Sequence, residues 1–98
     1  MPQIAGLCGP FPRILSYQQI TAPAVATGLI IPAGTSFAEV QVSVQAVRFR
    51  ADGTAPTASV GMPIAVGDLR TFPIANLSAL QFIEQAAGAV LNVTYYGL

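Results

Sequence analysis

The clearest pattern lies in Glu39–Arg50. There Val40, Val42 and Val44 alternate with Gln41, Ser43 and Gln45, the period-2 signature of a strand with one buried face. The phase then slips by one residue: Val47 and Phe49 carry the apolar set, and Arg48 and Arg50 take the opposite face. A slip near Ala46 predicts a β-bulge, because one extra residue restores the inward face. Asp52-Gly53 follows directly, the dipeptide most typical of tight hairpins. Near the C-terminus Leu91, Val93 and Tyr95 alternate with Asn92, Thr94 and Tyr96, predicting a closing strand over Val90–Tyr96.

Weaker signals fill the remainder. Ile14–Thr21 and Ala24–Ile31 read as strands, the second closed by the turn cluster Pro32-Ala33-Gly34-Thr35. Ala58–Ile64 and Leu69–Ile74 read as two more, separated by Val66-Gly67-Asp68, with Pro63 and Pro73 suited to strand ends or edges. Two patterns compete over the next stretch. Asn76 could cap a helix over Leu77–Ala87 that ends at Gly88. Alternatively, Leu80, Phe82 and Glu84 form one face of a strand that turns at Ala86–Ala89 and pairs as a hairpin with the closing strand. The regular spacing of short strands favours the hairpin.

The predicted fold is all-β: one antiparallel β-sandwich of about six to eight strands over residues 14–98, jelly-roll or Ig-like. Residues 1–13 are rich in Pro and Gly around Ile4, Leu7 and Phe11 and show no periodicity. They read as an extended N-terminal arm whose apolar residues lie on the domain or on a neighbour.

Composition alters this picture mainly at the surface. The 98-residue chain is 53% hydrophobic but only 8% charged, against roughly 25% in an average soluble protein. Arg13, Arg48, Arg50 and Arg70 balance Glu39, Asp52, Asp68 and Glu84, so the net charge is zero. A neutral, weakly charged surface promotes association, which predicts a homo-oligomer or a larger assembly. No run of about 18 apolar residues occurs, so no membrane span is expected. The N-terminus has no basic segment leading into an apolar run, and cytoplasmic synthesis is expected.

Few catalytic devices remain. Histidine is absent, which removes the usual general base near neutral pH and every His-containing triad or metal site. The lone Cys8 cannot build a thiolate zinc site, and without lysine there is no Schiff base or P-loop. Asp52 and Asp68 sit beside glycines, where aspartate serves turns. The chain is therefore expected to be neither an enzyme nor a holder of a metal or cofactor. Four arginines cancelled by four acids do not make a nucleic-acid surface. Arg48 and Arg50 are expected to pair with Asp52, Asp68 or Glu39. Of Tyr95 and Tyr96, which point to opposite faces, one should be core and the other an interface residue.

Two segments carry a resemblance. They are Val47-Arg48-Phe49-Arg50-Ala51-Asp52-Gly53-Thr54-Ala55-Pro56-Thr57-Ala58-Ser59-Val60-Gly61 and Leu80-Gln81-Phe82-Ile83-Glu84-Gln85-Ala86-Ala87-Gly88-Ala89-Val90-Leu91-Asn92-Val93-Thr94-Tyr95-Tyr96. Together they resemble small β-sandwich virion proteins of tailed bacteriophages, which stud or join the particle. The resemblance covers the second half of the chain and rests on structural motifs alone. It implies a head decoration (cement) protein, a homotrimer on the major capsid protein, located in the virion. A head–tail connector or tail accessory ring is the alternative, and a carbohydrate-binding attachment module a weaker third. The candidate interface residues are Ile4, Leu7, Phe11, Arg48, Arg50, Asp52 and Tyr96.

Overall fold

Strands with one apolar face must bury it against a second layer, and here two four-stranded sheets do so. The computed structural model describes residues 12–98. Ile4, Leu7 and Phe11 of the arm lie outside them. The elements are β1 (Arg13–Thr21), β2 (Thr27–Gly28), β3 (Phe37–Ser43), β4 (Val47–Arg50), β5 (Met62–Ile64), β6 (Leu69–Pro73), a single helical turn α1 (Ile74–Leu77), β7 (Gln81–Glu84) and β8 (Val90–Gly97). Arg13, at the end of the expected arm, is the first residue of β1.

One sheet has the order β1-β8-β3-β6 and the other β2-β7-β4-β5, with every pairing antiparallel. The first strand pairs with the last, the second with the seventh, the third with the sixth and the fourth with the fifth. Among the described strands, only β4 and β5 are consecutive in one sheet; every other connection crosses the sandwich. That nested pairing is the jelly-roll, and it decides between the two expected sandwiches.

The core follows from the alternation. Ala38, Val40 and Val42 of β3 and Leu91, Val93 and Tyr95 of β8 are buried from one side. Val47, Ile64 and Phe82 are buried from the other. Phe72 of β6 meets Phe49 of β4 edge-on at 5.0 Å and Phe82 of β7 at 6.2 Å, so one aromatic cluster joins the two sheets. Each large side chain that is fully buried, such as Phe82 or Ile64, contributes about 1.5–3 kcal/mol by leaving water.

Three expectations are corrected. The phase slip near Ala46 is not a bulge: β3 ends at Ser43, and residues 44–46 carry the chain into the opposite sheet, where β4 begins. The core then lies on the other side of the backbone, so the inward parity resets. Val44 turns this corner at φ 73, a backbone region that β-branched residues rarely adopt. A register shift does occur elsewhere, in β1 between Ile14 and Ser16.

Second, Asp52-Gly53 does not close a tight hairpin. It opens an eleven-residue loop, 51–61, between β4 and β5. Third, β7 and β8 are strands as the alternation implies, but they belong to different sheets and form no hairpin. Glu84 shapes their connection by accepting from the amides of Gly88 and Ala89. The capped helix over Leu77–Ala87 is absent; α1 is one turn ending at Leu77, which it buries. The Ala24–Ile31 and Ala58–Ile64 strands shrink to two and three residues.

Candidate functional site

Three of the residues that the sequence singled out, Arg48, Arg50 and Asp52, meet at one end of the β4–β5 pair. Val47 and Phe49 point inward, so Arg48 and Arg50 stand on the outer face of their sheet. Arg48 reaches over the returning limb of the 51–61 loop. Its Nε donates to the Ala58 carbonyl at 3.2 Å and an η-nitrogen to the Gly61 carbonyl at 2.8 Å. Arg50 instead grips Asp52 with two nitrogens on the two carboxylate oxygens. Asp52 also accepts from the Thr54 amide, an Asx turn that starts the loop.

The electrostatics follow from those contacts. The hydrogen bond from Arg50, aided by the Thr54 amide, holds the Asp52 carboxyl below the usual carboxylate range, and the same hydrogen bond raises the Arg50 guanidinium. Both groups are solvent-exposed, so this pair orients the loop entrance more than it stabilises the fold. Arg50 thus has one of its expected partners, whereas Arg48 binds main-chain carbonyls and no acid.

Between β4, β5 and the two ends of the loop lies an open cleft of about 400 Å³, lined by Phe49, Ala51, Val60, Gly61 and Met62 together with the Arg50–Asp52 pair. Val60 and Met62 are more than half exposed. Gly61 sits at φ 140, and a side chain there would press on the Phe49 carbonyl at 3.1 Å and Pro56 at 3.2 Å. The loop and β4 are therefore in close contact beside the cleft.

The outer face of the other sheet is different. Asn92 of β8 stands at its centre, accepting from Tyr17 at 2.6 Å and Gln19 at 3.3 Å on β1. It donates to Gln41 at 2.9 Å and Ser43 at 3.3 Å on β3. All four hydrogen-bonding positions of the amide are thereby used. This uncharged network staples three strands and leaves Asn92 nothing to offer a ligand. Tyr96 lies on the same face, stacked on Phe37 at 4.7 Å and donating to Glu39 at 2.8 Å. That hydrogen bond raises its pKa. Tyr95, its neighbour, is core.

The structure therefore brings Arg48, Arg50 and Asp52 together and places Tyr96 on the opposite sheet. Val60, Met62, Asn92 and Tyr17 were missed from sequence. The alternation in β3 and β8 did mark Gln41 and Asn92 as outward, but only the register makes them partners. Among the described residues no three His, Cys, Asp or Glu side chains cluster as a metal site, and no helix is long and apolar enough to cross a membrane. Comparison with family models, curated proteins and solved structures finds no match of any of the three kinds.

Proposed function

We propose that this chain is a structural subunit of a tailed-phage particle, a decoration protein seated on the major capsid protein. One observation carries the general part of this reading. Among the described residues, eleven large apolar side chains stand 48–77% exposed on a chain with no net charge, which favours burial against protein. The phage setting rests on the resemblance of the β4–loop and β7–β8 segments. The jelly-roll adds an architectural analogy, since viral shell subunits are among the proteins that use it.

The mechanism is association without chemistry. Each copy buries its apolar cleft and edges against capsid protein or sister copies, so assembled shell is favoured over free subunits by mass action. The test is purification of particles with and without the protein. Many copies per particle, and earlier DNA release on heating when it is missing, are expected for decoration. A dozen copies or fewer would instead favour a head–tail or tail ring. Absence from purified particles would overturn both.

A further inference from the structure

Two open sheets have four edges, and three of these are blunted. β2 is two residues long and contains Gly28. β5 is three residues long with Pro63 in its middle. β6 carries Pro73 and also Arg70, which lies opposite the buried Val40 and so places a charge on the core side of the edge. Short edges, prolines and inward charges are the devices by which proteins prevent unwanted pairing.

β1 has none of these three, and its one irregularity is the register shift between Ile14 and Ser16 near its start. It is nine residues long, and from Ile14 to Thr21 it contains no charge, proline or glycine. Beyond its ladder with β8, no described backbone group bonds to the backbone of residues 13–21. The Ile30 amide reaches only the Gln18 side chain. The edge is also flanked by apolar groups: Ile30 is 77% exposed, Ile14 67% and Tyr17 56%.

We propose that the open edge of β1 pairs with the β1 edge of a second copy of this chain, antiparallel about a two-fold axis, to make one continuous eight-stranded sheet. Antiparallel pairing makes a strand its own partner, so the contact is isologous and closes at two copies. Charge favours the antiparallel direction for two copies. Centred on Tyr17, the pairing sets Arg13 of each copy opposite Thr21 of the other and leaves the two cations at opposite ends. A parallel pairing would place them together. The absence of net charge removes the long-range repulsion that would otherwise oppose self-association.

This inference goes beyond the decoration reading and is tested on the free protein, so either can fail alone. It also differs from the three-fold cluster that the resemblance implies. The full chain is measured by sedimentation equilibrium and by amide hydrogen exchange across a range of concentrations. The expected result is a concentration-dependent species of about twice the 10.1 kDa chain, with alternate amides of β1 slowing as it forms. Tyr17→Lys sets two like charges beside the axis and should raise the dimer dissociation constant at least about tenfold, while Tyr17→Phe should not. Three results would overturn the proposal: a monomer at every concentration, a trimer with unprotected β1 amides, or protection of β1 that does not depend on concentration. The last would mean that the chain's own residues cover the edge.

Discussion

The hydroxyl of Tyr95 donates to the side-chain carbonyl of Gln18, diagonally across the β8–β1 pair. The same oxygen accepts the Ile30 amide, so one glutamine ties the buried ring to the segment after β2.

This contact has a pH signature. Burial pushes the Tyr95 phenol up to about 12, only partly offset by the Ile30 amide. In the unfolded chain it ionises near pH 10. The stability gained by holding the phenol neutral is complete below pH 10 and is lost as pH rises through about 12. That amounts to at most roughly 3 kcal/mol. Urea unfolding of the wild type should weaken over this range. Tyr95→Phe should show less of that loss while costing about 1 kcal/mol at neutral pH. Identical pH profiles would refute the assignment.

Val44 holds a left-handed backbone at the corner between the sheets and is 64% exposed, so its side chain gains little there. Val44→Gly should relieve the steric cost and raise stability by about 1 kcal/mol, despite the greater freedom of glycine when unfolded. A lower melting temperature would count against this.

Gly97 closes β8 where a Cβ would come within 2.7 Å of the Gly34 carbonyl and 3.0 Å of Leu15. Gly97→Ala should cost about 2 kcal/mol, because backbone blocks the methyl group. Gly53→Ala meets no neighbouring atom but adopts φ 86, and should cost about 1 kcal/mol from backbone strain alone. Denaturation midpoints that ranked the two in reverse would contradict the stated contacts.

Arg48 holds the 51–61 loop through two carbonyls, so Arg48→Ala should loosen the loop at a cost of about 1 kcal/mol. Limited proteolysis should then cut near Ala58 several times faster. Asp52→Asn, which leaves both Arg48 bonds in place, should change that rate much less. Equal rates in all three proteins would show that Arg48 does not secure the loop.

The candidate site was legible only in part. Arg48, Arg50 and Asp52 stood out because charge is scarce and a turn follows at once. Their division of labour did not, since Arg48 and Arg50 share a face and differ only in what the loop brings within reach. Val60 and Met62 gave no signal, because their exposure depends on how an eleven-residue loop returns to β5. Tyr96 was rightly separated from Tyr95 by the period-2 rule, yet its partners Phe37 and Glu39 come from a strand more than fifty residues earlier.

Alternation by itself determined that β3 and β8 are strands and which of their residues face inward, and the regular spacing of short strands pointed to a sandwich. These follow from local backbone geometry acting on neighbouring side chains. Which strands share a sheet was decided only in three dimensions. A shift of parity looks the same in sequence whether the chain bulges within one sheet or crosses to the other. The difference lies in which side the core is on, and the core exists only after distant strands have met.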